Sequence, residues 1–324
     1  MTKGEPAREP SRLSEPEAGP ERESQAGAGA GAESGLKSGR LPVPAPLLVL
    51  ASIASAQFGS AVARTQFDDL GAAGVTLWRL ALAALIFALI FRPRVWRWSG
   101  AAWRAAALLG IVMSTMNLVF YLSLRTVPLG TAVTVEFLGP LLLAVVQTRR
   151  VVDGLWALLA GAGVLLLGLG SGGTAPLSGL ALCLIAGVCW AGYIVLSSRL
   201  GRLVPGTGGL AVSLAVGSLV VLPFGAPGAA AAFDRPVLLV GAVAVALLCS
   251  VLPYGLEINA LRHLSTRVFG VLMSLEPAAA AIAGLFVLGQ RLGLREVGAL
   301  VLVSLASFGV TLSGRRPVPG APPG

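Results

Sequence analysis

Four ionisable side chains lie inside long apolar runs of this chain: Arg79, Glu136, Glu257 and Glu276. An ionic group inside a bilayer costs about 2.5–3.5 kcal/mol on insertion scales, and such groups ordinarily mark a solute or proton pathway. A carboxylate there can hold an ammonium group or exchange a proton, and a guanidinium can grip a carboxylate with two parallel hydrogen bonds. Glu136 and Glu276 each precede a proline, Pro140 and Pro277. Proline leaves the carbonyl four residues back without its helical hydrogen bond, here those of Glu136 and Met273. Each carboxylate therefore stands beside an interrupted helix. The competing reading is that the prolines only kink these helices while the carboxylates pair with Arg79 or with Ser/Thr hydroxyls.

Uncharged polar and aromatic residues extend the set: Gln57, Asn117, Tyr121, Trp190, Tyr193, Tyr254 and Asn259. Asn117 and Tyr121, four apart, share one helix face, and Trp190 and Tyr193 nearly do. Such residues either hydrogen-bond helices together or line a cavity. Glu136, Glu276, Arg79, Asn117, Tyr121, Trp190, Tyr193, Tyr254, Glu257 and Gln57 are the candidate substrate-binding residues.

Other chemistries lack their residues. Cys183, Cys189 and Cys249 lie far apart within apolar runs, which suits small buried hydrophobes better than a zinc site or a disulfide framework. His263, the only histidine, sits in a basic loop without a carboxylate or thiol nearby for a triad or metal cluster. Lys occurs only at positions 3 and 37, so there is no phosphate loop and no ATP-driven motor. No Asp lies inside an apolar run, which argues against an intramembrane aspartyl protease. No cofactor and no metal are expected.

The elements that must hold these residues follow from composition. Of 324 residues, 55% are hydrophobic and 12% charged, about half the charged fraction of a soluble domain. Residues 1–40 contain six Lys/Arg and seven Asp/Glu, leaving a body that is both apolar and basic. Its Arg residues punctuate apolar runs and do not gather on one solvated face, so the expected surroundings are a lipid bilayer and not nucleic acid. Residues 1–44 are poor in large hydrophobes and read as a disordered cytoplasmic tail. The first apolar run begins too late for a secretory signal, so that span is expected to remain in the mature protein.

Ten apolar runs follow, near 46–63, 74–91, 105–124, 129–147, 154–170, 177–198, 208–225, 236–258, 267–288 and 296–313. Each is long enough to cross a hydrocarbon core of about 30 Å as a helix. The expected fold is an all-α membrane protein of ten transmembrane helices. Basic residues near the span ends favour the side that also holds both termini: Lys37, Arg40, Arg92, Arg94, Arg97, Arg104, Arg149, Arg150, Arg199, Arg202, Arg262, Arg267, Arg315 and Arg316, against Arg64, Arg125, Arg235, Arg291 and Arg295. Both termini are therefore expected in the cytoplasm. On these spans Glu136 and Glu276 fall near the midplane. Arg79 falls nearer the outer end, where it could snorkel to the headgroups, and Glu257 falls at the cytoplasmic end.

A shift of 137 residues places Leu124-Arg125 on Leu261-Arg262, Leu138 on Leu275, Pro140 on Pro277 and Ala144 on Ala281. Five spans per half is an odd number, so the halves run in opposite senses across the membrane. Two inverted five-helix repeats are expected, residues 45–170 and 177–314, with 315–324 as a cytoplasmic tail. Ala157 and Gly161 supply a small-residue spacing that would suit a homodimer.

Four stretches resemble a known family: Pro128-Leu129-Gly130-Thr131-Ala132-Val133 with Glu136-Phe137-Leu138-Gly139-Pro140, Cys189-Trp190-Ala191-Gly192-Tyr193-Ile194, Leu252-Pro253-Tyr254-Gly255-Leu256-Glu257, and Thr266 to Ala278 with its Met-Ser-Leu-Glu-Pro core. They look like those of the threonine/homoserine exporters, in the EamA branch of the drug/metabolite transporter superfamily. The resemblance covers about residues 45–314. It implies ten helices in two inverted repeats, a central substrate cavity and export of small amino acids across a bacterial plasma membrane. The acidic, Gly-rich tail departs from that pattern. The expectation is a secondary transporter, not an enzyme, working by alternating access and driven by protons. An exporter of another small metabolite or drug is the alternative within the superfamily. A membrane-embedded transferase with Glu136 or Glu276 as base, or a non-transporting scaffold, are the alternatives outside it.

Overall fold

The computed structural model describes residue 1 and residues 44–313 except 149–150, 169–174, 205, 262 and 265. The tails expected at 1–44 and 315–324 lie outside these residues, apart from Met1 and Pro44. So do Lys37, Arg40, Arg149, Arg150, Arg262, Arg315 and Arg316 of the charge count. Everything below belongs to the unit Arg40–Gly324.

The described residues form helices and no strand. They are α1 (Ala45–Thr65), α2 (Phe67–Phe91), α3 (Gly100–Ser123), α4 (Leu129–Glu136), α5 (Leu138–Thr148), α6 (Val151–Gly168), α7 (Leu177–Leu203), α8 (Gly208–Asp234), α9 (Pro236–Ala246), α10 (Leu252–Leu261), α11 (Thr266–Met273), α12 (Glu276–Leu288) and α13 (Leu294–Ser313). A π-helical turn, Leu247–Val251, joins α9 to α10. Among the described residues nine helical stretches are long and apolar enough to cross a bilayer, with α4–α5, α9–α10 and α11–α12 each acting as one stretch. Large apolar side chains point outward along them, as at Leu89, Val188, Val240 and Phe286. Exposed leucine on this scale is a solubility fault in water and the ordinary surface of a protein in lipid.

Two of the boundaries that differ from expectation do so for plain physical reasons. α2 begins at Phe67, not near Gly74, because Asp68 and Asp69 sit in its first turn, where carboxylates favour the positive helix end. Gly71 then takes φ 67°, a left-handed value open to glycine, and redirects the helix. α8 runs on past residue 225 through Pro223 and Pro227 to Asp234. It survives because it lies along α2 at glycine contacts: a Cβ on Gly225 would stand 2.6 Å from the Ala73 carbonyl oxygen, and one on Gly74 would stand 2.9 Å from the Ala229 amide nitrogen. Neighbouring helices of this kind hold a proline-interrupted membrane helix in shape. α6 also starts earlier than the expected 154, at Val151.

The two proline-linked interruptions occur where expected. α4 ends at Glu136, Phe137 forms a turn, and α5 resumes at Leu138. α11 ends at Met273, Ser274 and Leu275 form a turn, and α12 resumes at Glu276. The first break rests backbone to backbone on α7, since a Cβ on Gly187 would stand 2.6 Å from the Glu136 carbonyl oxygen and one on Gly139 would overlap the Gly187 carbonyl. The upper part of α4 packs equally closely on α12, through Gly130 against Ala281. The main-chain amide of Leu129, one of the unbonded donors at the start of α4, donates to Gln290 Oε1 at 2.9 Å.

Gly187→Ala is expected to destabilise this seam by about 1–3 kcal/mol, the usual range for overpacking. Both colliding atoms are main chain and cannot swing aside. A lower midpoint of thermal unfolding in detergent, with Gly255→Ala as an innocuous control because Gly255 has open space around it, is the expected reading.

Candidate functional site

Six helices converge on a cavity of about 110 Å³ near the middle of the spans. α1 supplies Ala56, Gln57 and Ser60, α2 supplies Arg79, and α3 supplies Met116, Asn117 and Phe120. Val133 and Glu136 come from α4, Trp190 from α7 and Glu276 from α12. Gln57 and Ser60 are three apart, as are Asn117 and Phe120, so each helix presents one face.

Arg79 lies midway along α2, and its guanidinium turns inward. Its Nε donates to Ser250 Oγ at 3.2 Å, Nη1 to the Tyr121 hydroxyl at 3.1 Å and Nη2 to the Cys249 carbonyl at 3.1 Å. Its central carbon stands 5.5 Å from the centre of the Tyr121 ring, within cation–π range. Arg79 therefore does not snorkel to the headgroups, as its expected place near the outer end would have allowed. The longer α2 puts it mid-span, and a built set of partners holds it there.

Glu136 and Glu276 are both buried, at 8% and 7% exposure, where they meet the cavity. Among the described residues neither makes an ion pair or a hydrogen bond through its carboxylate, so they are not paired off with Arg79 or with hydroxyls. The one ion pair found among the described residues, Arg235 with Asp69 at 2.6 Å, is on the exposed rim. The cavity thus holds a fixed cation and two carboxyl groups without internal partners. A zwitterion presents the complement of that arrangement.

Asn117 donates from Nδ2 to the Met113 carbonyl at 2.7 Å, which fixes its side chain and leaves its oxygen unspent. The Trp190 ring meets Phe137, the residue in the α4–α5 break, edge to face at 5.5 Å and closes the cavity beside it. Of the ten candidate residues, Gln57, Arg79, Asn117, Glu136, Trp190 and Glu276 line the cavity. Tyr121 stands behind Arg79 and is fully buried. Tyr254 packs against Phe87, and Tyr193 packs against the same apolar cluster. Glu257 accepts from Ser52 Oγ at 2.7 Å. These four lie outside the cavity lining. Ser60 was not singled out from sequence, although its spacing from Gln57 was available. Ser250 and the Cys249 carbonyl could not have been found that way, because they reach Arg79 from a π-helical turn with no sequence signature. Cys249 is also more than a small hydrophobe, since its sulfur receives the Tyr121 hydroxyl at 3.7 Å.

The chain is 43% identical over 282 residues to the threonine/homoserine exporter RhtA of Salmonella typhimurium strain LT2 and 42% identical to that of Escherichia coli strain K12, spanning 86% of this chain and 95% of each relative. The EamA-like transporter family matches residues 177–312. The chain belongs to the EamA-like transporter family. One solved crystal structure shares the fold with this EamA-like transporter at a TM-score of 0.55 and 18% identity, covering 83% of this chain and 97% of the other. The family resemblance read from the Pro-Leu-Gly-Thr-Ala, Leu-Pro-Tyr and Met-Ser-Leu-Glu-Pro stretches is borne out, as is a membrane transporter in place of an enzyme.

Proposed function

We propose that this EamA-like transporter exports small amino acids, threonine and homoserine foremost, across the bacterial plasma membrane by alternating access. The observation that carries the reading is the mid-span cavity lined by Arg79 and by two carboxyl groups that have no other partner among the described residues. Arg79 receives the substrate carboxylate with the N–H groups it does not spend on Tyr121, Ser250 and Cys249. Glu136 or Glu276 holds the ammonium group, and the other exchanges a proton to couple export to the proton gradient. A site of this size suits a small solute better than a drug-sized one, whose pockets run to about 300–1,000 Å³. The names of the curated relatives point to the same substrates.

The reading includes ten spans, with α6 as the fifth, in two inverted repeats at 45–170 and 177–314. Three features support it. The helix breaks at Phe137 and Ser274 fall at the same 137-residue shift that aligns the two halves in sequence. The two interrupted helices pack on each other across the cavity. The family match, 177–312, coincides with the second repeat.

Orientation has a direct test. In a Cys183→Ala, Cys189→Ala, Cys249→Ser background, Ala101→Cys should resist an impermeant thiol reagent in intact cells and Arg125→Cys should react, both positions being exposed. The opposite labelling would reverse the topology. The function is tested by expressing the chain in cells challenged with toxic threonine, homoserine or aromatic amino acids. Resistance and faster efflux for the first two alone are expected, and protection against none of them would refute the proposal.

A further inference from the structure

The charged poles of the cavity account for the two charges of any amino acid, and they do not distinguish threonine from valine, its isostere without a hydroxyl. A third polar group in the cavity remains unassigned. Gln57 is buried to 7% exposure on α1, its Oε1 is shut away from solvent with no hydrogen-bond partner among the described residues, and its side chain lines the cavity. Burying an amide end without a partner is unfavourable unless a ligand supplies one. Its neighbours do not: Ser60 is turned to Cys249 Sγ at 3.9 Å, and the hydrogen bond that the Asn117 amide donates goes to the Met113 carbonyl.

We infer that Gln57 reads the substrate hydroxyl, making it the specificity residue for hydroxylated amino acids. The inference rests on the export reading above. A hydroxyl donates one hydrogen bond and accepts two, so it can satisfy an amide through either its oxygen or its nitrogen. An ammonium group is drawn instead to the ionisable carboxyl groups Glu136 and Glu276, and a carboxylate to Arg79, which leaves the amide for the uncharged polar group. A site built around such a bond discriminates strongly, because a ligand without the hydroxyl leaves the buried amide unpaired again, whereas an apolar pocket cannot reject an added hydroxyl to the same degree.

The test uses the full chain in proteoliposomes preloaded with threonine, with exchange of external labelled threonine as the readout and unlabelled threonine or valine as competitor. Gln57→Met keeps the length of the side chain and removes the amide. The half-inhibiting concentration of threonine is expected to rise about tenfold, as for one buried hydrogen bond, while that of valine stays within about twofold. The preference for threonine over valine narrows accordingly. Equal weakening of both would make Gln57 a packing residue, and unaltered half-inhibiting concentrations for both would show that the hydroxyl is read elsewhere; either result overturns the inference and leaves the export reading intact. If the unaltered chain exchanged neither amino acid, the export reading would fall and the inference with it.

Discussion

Arg79→Gln is expected to abolish threonine export while the protein still reaches the membrane. The substitution removes the cation that receives the substrate carboxylate, and truncating one partner of a buried charge pair costs about 2–5 kcal/mol, or roughly 30- to 3,000-fold in affinity. Gln can still reach one of the Tyr121 hydroxyl, Ser250 Oγ and the Cys249 carbonyl, which limits the structural damage. Arg79→Lys keeps the charge and loses the planar fork, so it should fall between the two, with the apparent threonine affinity reduced more than the maximal rate. Initial rates of labelled threonine efflux, normalised to membrane abundance, check both variants. Wild-type efflux in Arg79→Gln would remove this residue from the site.

The second large effect is expected at the carboxyl groups. Gln keeps the shape of Glu but cannot ionise, so Glu136→Gln and Glu276→Gln separate charge from packing. Neither carboxylate holds a partner among the described residues, so neither substitution should unbalance the fold. At least one variant should lose proton-driven export by about 100-fold or more, the scale of removing one buried charged contact. If that variant still exchanges threonine for threonine, its Glu carries the coupling proton; if exchange is lost too, its Glu binds the ammonium group. Wild-type export by both variants would leave kinked helices with incidental carboxyl groups.

Much of the architecture was legible because a bilayer imposes simple rules on sequence. Apolar runs of span length gave the helices, and the carbonyls freed by Pro140 and Pro277, those of Glu136 and Met273, marked the two interruptions to within a residue or two. Boundaries failed where polar residues joined a helix or proline failed to end one. Asp68 and Asp69 read as a loop but occupy the first turn of α2, and the error displaced Arg79 towards the headgroups. The apolar run expected to end at 225 leaves out Pro227, but glycine contacts with α2 carry α8 past it to Asp234.

The candidate site was legible by residue type and less so by neighbour. Charges and amides in apolar runs are rare enough to stand out, so Gln57, Arg79, Asn117, Glu136 and Glu276 were all named from sequence and all meet in one cavity. The tyrosines Tyr193 and Tyr254 have the same amphipathic character but pack against an apolar cluster that includes Phe87. Helical spacing cannot separate those cases, because it fixes a face and not the helix opposite. The partners of Arg79 depend on how the π-helical turn aims Ser250 and the Cys249 carbonyl, which is a property of backbone winding.

The central claim, a carrier whose mid-span cavity binds small hydroxylated amino acids, is tested most directly by counterflow. Purified protein is reconstituted into vesicles loaded with unlabelled threonine, and labelled threonine is added outside without any ion gradient. A transient accumulation of label above equilibrium, intact unaltered label, and loss of the effect in Arg79→Gln are the expected results. Label that never exceeds equilibrium in vesicles of well-folded protein, or label converted to another compound, would contradict the account.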